Sequence, residues 1–339
     1  MHTLAAERDP EDDEDEESDT VASRFTAKIL SWLMYGFMAK DKNVRYRVLQ
    51  TVAEMVSHLG EIEYVLNVFP CTHSPHSCSE DAYKTLRAAL LDRINDREIS
   101  VRCQAVMSLA KLGISEDQDF DEEVSIVEVL LDALAYDPSM YVLYLQIVNL
   151  FPSPFSSDVR RTALLAIPIN PQTLPRVLER TMDTDITIRK LLYSAVLDKS
   201  TTVVGEDGVK TFGPTHPRVL SIVQREVIIR NGLGDRDHQV RASAASLLET
   251  WVDFVDMKAE DKDVKVDEQI QEKMQTGVLS LLALFDLHEG TVAENALLSI
   301  FKSRVNIFDT IDFDGKNSYF HVVLCSSTSS IPQGIIGLL

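Results

Sequence analysis

The chain has 339 residues, of which 45% are hydrophobic and 25% are charged, so it can bury a substantial core and is not disordered as a whole. Only 7% are aromatic, and Gly (13) and Pro (12) are scarce, which favours helices over a sheet with many tight turns. The formal net charge of −20 excludes a surface coated in basic charge, although a local basic groove is compatible with it.

The cysteines and the apolar runs indicate a reducing compartment and no membrane span. Residues 1–20 hold ten acids and one base, the opposite of the basic start of a signal peptide. The longest apolar run, residues 140–151, is too short to cross a bilayer. We therefore expect a cytosolic or nuclear protein whose four cysteines are free thiols: Cys71, Cys78, Cys103 and Cys325.

A short pattern recurs along the chain: an acid, then a β-branched residue followed by arginine, then small and apolar residues. Its arginines are 57, 58, 29 and 52 residues apart: Arg45, Arg102, Arg160, Arg189 and Arg241. Two of these intervals contain segments unlike their surroundings, 69–79 without a helical period and 139–157 without charge. Without them, the first two intervals approach the period of roughly 40–47 residues typical of HEAT and armadillo repeats.

Each copy of the pattern predicts a helix, with a second helix before it. The apolar residues that follow the arginines have helical spacing, as in Val240, Ala244, Leu247, Leu248 and Trp251. Preceding helices are predicted over 20–39, 81–94, 124–135, 172–182 and 217–232. Ser100 and Thr187 are expected N-caps, and Trp32 and Trp251 fall at core spacing. The predicted fold is an all-α HEAT-repeat solenoid, a superhelix of stacked antiparallel helix pairs.

The acid and the arginine of each copy have a structural interpretation, a ladder of ion pairs between consecutive turns. An aspartate near a helix start also complements the helix dipole. Direct contact of these arginines with a ligand is the less favoured alternative. The expected ladder residues are Asp41, Arg45, Asp96, Arg102, Arg189, Asp237 and Arg241.

Four ordered stretches carry a resemblance to one family. The sequences GFMAKDKNVRYRVLQTVAEMVSHLGEI, LRAALLDRINDREISVRCQAVMSLAKL, AIPINPQTLPRVLERTMDTDITIRKLLYSAVL and VIIRNGLGDRDHQVRASAASLLETW resemble condensin complex subunit 3, the chromosome-associated protein G family. The resemblance covers residues 21–320 with interruptions.

The resemblance implies a non-catalytic HEAT-repeat subunit of condensin in mitotic chromosome condensation. It would bind the kleisin subunit, join the SMC subunits through it, and hold double-stranded DNA independently of sequence. Its expected location is the nucleus and the chromosome, with the cytoplasm possible outside mitosis. No GxxxxGK[ST] or GxGxxG motif is present, so we expect neither an enzyme nor a cofactor, small-molecule substrate or membrane contact.

The chain departs from the family pattern in several segments. Residues 69–79 and 139–157 are expected insertions, 199–216 an expected surface loop, and 321–339 a tail unlike the family. Because the family is much longer, we expect a fragment or a mispredicted gene product. In 69–79, Cys71, His73, His76 and Cys78 resemble a zinc set, but the spacing fits no common site and a metal is not expected.

Basic residues outside the ladder are the candidates for DNA contact, because lysine and arginine bind phosphates without reading bases. Solvated helix ends are the alternative interpretation of the same residues. The candidates are Lys40, Lys42, Arg47, Arg93, Arg97, Arg161 and Lys190.

Two further alternatives stay open at the level of sequence. The acidic tail, residues 1–20, is expected to be disordered, and is either a solvating linker or a regulator that competes with DNA, with Ser18 and Thr20 as possible phosphorylation positions. The whole chain is alternatively a HEAT scaffold for protein partners only, such as a transport adaptor or a phosphatase scaffold. A helical-repeat accessory domain of an enzyme is a third, less favoured possibility.

Overall fold

The computed structural model describes residues 21–58, 75–113, 125–135, 157–204, 210–255, 277–278, 280–286 and 290–304. The chain divides into two compact units, residues 1–166 and 167–339. The described part of each unit is mostly helical, as the composition predicts.

Unit 1 is built from helices that pair and stack. Its helices are α1 (Val21–Gly36), α2 (Lys42–His58), α3 (Pro75–Ile94), α4 (Ile99–Leu112), α5 (Ile126–Ala135) and α6 (Ser157–Ala166). Helix α4 packs against α2 on one side and α6 on the other, while α3 and α5 pack against α4 and α6 respectively. The second helices of successive pairs therefore form one layer.

The core of unit 1 lies between these stacked helices. Leu49 and Val52 of α2 and Val101 and Leu109 of α4 are fully buried. The hydroxyl of Ser108 donates to the Leu49 carbonyl at 3.1 Å, which adds a polar link across the same contact. Val44, in the first turn of α2, is 45% exposed.

Unit 2 repeats the helical arrangement with less regular helices. It contains α7 (Leu174–Leu178) followed by a 3-10 turn (Glu179–Met182), α8 (Ile186–Leu191) continuing into a π-helical turn (Leu192–Leu197), α9 (Ile222–Leu233), α10 (His238–Phe254) and α11 (Thr291–Ser303). Helix α10 packs against α9, α11, α8 and the π-helical turn.

The contact between α9 and α10 depends on Gly232. A Cβ atom at Gly232 would lie 2.5 Å from the Ala244 Cβ and 2.8 Å from the ring of Tyr193, so only hydrogen fits there. The Tyr193 hydroxyl donates to the Ile228 carbonyl at 3.0 Å, and burial raises the pKa of this phenol. Trp251 is fully buried in α10, as its spacing predicts.

The expected surface loop 199–216 contains a β-hairpin, which corrects the all-helical expectation locally. Strands β1 (Thr202–Val204) and β2 (Lys210–Phe212) pair antiparallel. The ring of His216 stacks on Phe212 at 4.0 Å, its Nδ1 accepts from the Arg218 N–H, and its Nε2 lies 3.0 Å from the Phe254 carbonyl. Neutral His216 thus joins the hairpin to the end of α10, and burial lowers the pKa of the imidazole.

Three sequence expectations differ from the structure. Ser100 and Thr187 are not N-caps: the caps are Glu98 and Asp185, each two residues earlier, where the backbone is still extended. Residues 75–79 of the expected insertion are the start of α3, whose first residue is a proline, well tolerated there. Trp32 is 66% exposed rather than in the core.

Candidate interaction surface

Four arginines of the predicted ladder share one local geometry. In each, Nη1 of the guanidinium donates to the main-chain carbonyls six and five residues earlier, at distances from 2.7 to 3.4 Å. These carbonyls belong to the turn before the helix, so each arginine fixes the turn that precedes it. The four are Arg45, Arg102, Arg189 and Arg241.

Two of these arginines also reach the next turn. Nε and Nη2 of Arg45 donate to the two oxygens of Asp96 at 2.7 and 2.9 Å, and Arg189 does the same to Asp235 at 2.7 and 3.1 Å. The side chains of Arg189 and Asp235 are 4% and 6% exposed. Bidentate arginine–carboxylate pairs of this kind combine charge with fixed geometry.

The surroundings of Asp96 and Asp235 favour the ionised carboxylate. Burial alone would raise the pKa of Asp96, but hydrogen bonds from Arg45 and the Glu98 N–H outweigh it, so the pKa lies below its usual value. The pKa of Asp235 is lowered in the same way, with burial opposed by Arg189 and the Asp237 N–H. Both residues therefore carry a full negative charge at neutral pH.

Asp41 and Asp237 have a different role from the expected one. Asp41 accepts the N–H of Asn43 at 2.7 Å, and Asp237 accepts those of Gln239 and Val240 at 2.8 and 3.3 Å. Both thus cap the starts of α2 and α10, because an aspartate four residues before the arginine faces the exposed N–H groups of its own helix. The carboxylates that accept from Arg45 and Arg189 are Asp96 and Asp235, each two residues before an N-cap residue, Glu98 or Asp237.

The sequence interpretation missed Asp235, although a signal was present. Asp235 and Asp237 alternate with Arg236, as Asp183 and Asp185 do around Thr184, and Asp96 and Glu98 around Arg97. Two acids separated by one residue therefore mark such a turn. The first acid accepts hydrogen bonds, either from the arginine of the preceding copy or from a backbone N–H of its own turn, and the second acid is the N-cap of the helix that follows.

The candidate DNA-binding residues fall into two groups. Lys40, Lys42, Arg47 and Arg97 are exposed in unit 1. Lys42 Nζ lies 3.5 Å from a carboxylate oxygen of Glu98 at the start of α4, which brings Lys42 beside the turn that carries Arg97. Arg47 lies on α2, where it donates to Gln50 at 2.7 Å.

The other three candidates are engaged with neighbouring side chains. Arg93 is 15% exposed, pairs with Asp96 at 3.1 Å and also contacts Asp92, so it extends the ladder. Arg161 pairs with Asp158 at 3.1 Å on its own helix α6. Lys190 donates to Gln239 at 3.2 Å in unit 2. Phosphate contact by these residues would require them to give up these partners.

One turn position is exposed and basic in most copies. This position lies five residues before the ladder arginine, and Nη1 of that arginine donates to the main-chain carbonyl at this position. The side chain there is exposed in all four described copies: Lys40, Arg97, Thr184 and Arg236. Three of the four residues are basic, and Arg236 was not among the sequence candidates. A fixed backbone with a solvent-facing base is suited to phosphate contact.

The described residues contain no group of three or more His, Cys, Asp or Glu that could hold a metal ion. Of the residues resembling a zinc set, His76 and Cys78 lie in the first turn of α3, whereas Cys71 and His73 lie outside the described residues. None of the described helices is long and apolar enough to cross a membrane.

Comparison with known proteins gives related chains but no matching family model. The chain is 32% identical over 267 residues to condensin complex subunit 3 of Schizosaccharomyces pombe, covering 78% of this chain and 25% of that protein. The Saccharomyces cerevisiae protein of the same name is 27% identical over 301 residues, covering 86% and 23%. The human protein of that name is 25% identical over 280 residues, covering 82% and 22%.

A comparison with solved structures points to the same family. The crystal structure of the S. pombe condensin Cnd3-Cnd2 subcomplex contains a chain that matches 86% of this one with a TM-score of 0.57 and 30% identity, over 32% of its own length. The chain spans about a quarter of the length of the curated relatives it matches. With agreement in sequence and in a mostly helical fold, the chain is a homologue of condensin complex subunit 3.

Proposed function

We propose that this chain forms part of a non-catalytic condensin subunit, a HEAT-type solenoid that binds a kleisin segment and the backbone of double-stranded DNA. In this role it contributes to chromosome condensation in mitosis, in the nucleus and on the chromosome. The observation that carries the DNA part is the solvent-facing basic position in the turns, Lys40, Arg97 and Arg236.

The solenoid assignment is supported within each unit separately. In unit 1, α2, α4 and α6 pack in succession, and Arg45 of α2 pairs with Asp96 in the turn before α4. In unit 2, α8 packs against α10, and Arg189 of α8 pairs with Asp235 in the turn before α10. The same ion pair at the same point of two stackings is what a repeated structural unit produces.

The DNA contact would be made mainly by Lys40 and Lys42. The side chain of Lys40 is exposed, and its carbonyl accepts from Arg45; Lys42 is 58% exposed, and its ammonium lies 3.5 Å from a carboxylate oxygen of Glu98. Such an exposed ion pair contributes little, so exchanging the carboxylate for a phosphate costs little. Binding of this kind ignores base sequence and weakens steeply with salt.

The kleisin contact rests on the relatives. The matched solved structure is a subcomplex of Cnd3 with Cnd2, and the helical fold it shares with this chain supports a corresponding partner here, which would link the chain to the SMC subunits. A scaffold for protein partners alone is the second candidate, favoured by the net charge of −20 and by the engaged side chains of Arg93, Arg161 and Lys190.

The test is a titration of fluorescein-labelled duplex DNA followed by anisotropy, with and without a kleisin peptide. We expect K40E/K42E to weaken binding roughly tenfold or more, and to reduce the slope of log K against log salt by about two, one for each lost phosphate contact. The control, K199E/K302E, changes the net charge equally at exposed lysines of unit 2 and should change affinity much less.

Equal losses in the two double variants would mean that only net charge matters, and would overturn the assignment to Lys40 and Lys42. Kleisin binding without any binding of DNA by the wild-type chain would favour the protein scaffold.

A further inference from the structure

One side of α1 carries large side chains that the core of unit 1 does not use. Trp32 and Tyr35 are 66% and 82% exposed, although Leu30 and Phe37 nearby in sequence are buried. Met38 is 74% exposed and follows in the turn after α1, where its N–H donates to the Tyr35 carbonyl at 3.4 Å. Residues three apart are neighbours on a helix, so Trp32, Tyr35 and Met38 form one surface, which we call the α1 strip.

The α1 strip has a positive charge at each end. The Lys28 ammonium lies 5.9 Å from the centre of the Trp32 ring, one helical turn before it, and the side chain of Lys40 is exposed two residues after Met38. Neither ammonium forms an ion pair with another described residue. Residues 28–40 contain no Asp or Glu, in a chain that has 53 of them. A ligand of this surface would therefore meet two lysines and no repelling carboxylate of α1.

A third base at the border of the strip is already balanced. Nη2 of Arg93 lies 4.0 Å from the Met38 sulfur, but the guanidinium pairs with Asp92 and Asp96. Lys28 and Lys40 are therefore the cations that a ligand would neutralise.

The size and the residue types of the α1 strip are those of a protein contact site. Single exposed apolar residues are normal on a protein surface, whereas contiguous ones mark interaction sites. Trp, Tyr and Met are enriched in protein interfaces, and Trp and Tyr are among the residues that most often carry the binding energy. Charges around such a patch select the partner by complementarity, so the two lysines favour an acidic one.

The backbone of α1 favours a helical partner over an extended one. Its main-chain groups are hydrogen-bonded inside the helix, and the last carbonyls accept from the N–H groups of Phe37, Met38 and Ala39. An extended peptide would find no main-chain partners there, whereas a helix satisfies its own backbone and offers one apolar side. The rise from Lys28 to Gly36 is about 12 Å, so about three turns of a partner helix would cover this part of α1 and the turn that follows.

We propose that the α1 strip binds an acidic amphipathic helix of a partner protein. The apolar side of that helix packs against Trp32, Tyr35 and Met38, and its flanking carboxylates lie at Lys28 and Lys40. The rings supply most of the affinity, and the lysines discriminate against basic helices. This contact does not require that the chain binds DNA or a kleisin segment, so it stands or falls separately from the proposed function.

The test begins with a selection of peptides displayed on phage, of random sequence in a helical framework of about four turns. Peptides that bind the full chain are retained, and those that also bind a W32A/Y35A variant are removed. Because both replaced side chains are exposed, this variant should keep the helical circular dichroism and the melting curve of the wild type. We expect the remaining peptides to carry apolar residues at helical spacing flanked by Asp and Glu. No remaining peptides, or peptides without an excess of acids, would overturn the proposal.

The strongest selected peptide, made with a fluorescent label, then measures the apolar contact by anisotropy. W32A/Y35A should weaken its binding tenfold or more, because buried aromatic side chains dominate interfaces. The matched control is M182A/V223A, which removes two apolar side chains of unit 2 that are 73% and 70% exposed, and it should leave the affinity nearly unchanged. Equal losses in the two double variants would reject the α1 strip as the binding site.

The charge contact is measured with K28E, since Lys40 also belongs to the proposed DNA contact. This variant should weaken binding about fivefold or more at low salt and less at high salt, because the attraction is screened. The control, K199E, changes the net charge equally at an exposed lysine of unit 2 and should have little effect. Equal effects of K28E and K199E would overturn the acidic character of the partner.

Other occupants of the strip give different results. Displacement of the selected peptide by a kleisin peptide would assign the strip to the kleisin contact and overturn the separate partner. The remaining probes are vesicles of phosphatidylcholine with phosphatidylserine, and an oligothymidylate. If either changed the Trp32 fluorescence of the wild type but left W32F unaffected, the strip would be a membrane or nucleic-acid site and the proposal would be wrong.

Discussion

The guanidinium of Arg189 holds both carboxylate oxygens of Asp235, at 2.7 and 3.1 Å, although the two residues are 46 positions apart in sequence. Arg189 also binds the Asp183 and Thr184 carbonyls, so a single side chain fixes its own turn and the following one.

Replacing Asp235 by Asn should destabilise unit 2 by about 3 kcal/mol, because it leaves the charge of buried Arg189 without its counter-charge. The matched control is Asp237→Asn, two residues away, which removes the same charge from a helix cap where Asn serves equally well. Urea unfolding of both variants measures the difference. Similar losses of unfolding free energy in the two variants would mean that the Arg189–Asp235 ion pair stabilises unit 2 no more than the helix cap does.

Acid should weaken the chain through Asp96 and Asp235, whose pKa values are lowered in the folded state. A lowered pKa contributes stability that is complete above the unfolded value, near pH 3.9, and disappears as the pH falls through the folded value. The unfolding free energy should therefore fall below about pH 4 in the wild type, and less steeply in a D96N/D235N variant. Parallel curves for the two chains would contradict the assignment.

Gly232→Ala should destabilise unit 2 by roughly 1–3 kcal/mol, even though alanine is the better helix former by about 1 kcal/mol. The new methyl group would lie 2.5 Å from the Ala244 Cβ and 2.8 Å from the Tyr193 ring. A double-mutant cycle with Ala244→Gly should show a favourable coupling, since the second change removes one of the clashing atoms. Additive losses would show that the close approach is not the cause.

Ser221→Ala should cost about 1 kcal/mol, because Ser221 and Gln224 form a reciprocal capping box at the start of α9. The hydroxyl accepts the Gln224 N–H at 3.2 Å, and the Gln224 side chain accepts the Ser221 N–H at 2.9 Å. Ser221→Thr keeps the hydroxyl and should cost much less. Thermal unfolding compares the three chains, and equal midpoints for Ala and Ser would argue that the cap does not stabilise α9.

The helices could be predicted from the sequence because their apolar residues repeat with a helical period over many turns. Val240, Ala244, Leu247, Leu248 and Trp251 are all buried, as that period requires. The hairpin at β1 and β2 could not, since its strands are three residues long and its position depends on His216 reaching the Phe254 carbonyl 38 residues later.

The sequence predicted the ladder arginines better than it predicted the carboxylates that accept their hydrogen bonds. Local spacing identified Arg45 and Arg189, but it could not distinguish Asp235, which accepts from Arg189, from Asp237, which caps its own helix. The two acids are two residues apart, and only the neighbouring helix decides which one faces the arginine. Trp32 has helical spacing too, yet it lies on the side of α1 that no described helix covers in unit 1.

At one position of each turn, the ladder arginine binds the main-chain carbonyl, so the side chain at that position takes no part in fixing the turn. Lys40, Arg97, Thr184 and Arg236 occupy the same place in their turns, and the hydrogen bond that fixes each turn ends on the main chain, which every amino acid provides. The charge displayed there can therefore change by single substitutions without loss of the turn. Related chains can thus display different patterns of surface charge on one unchanged backbone framework.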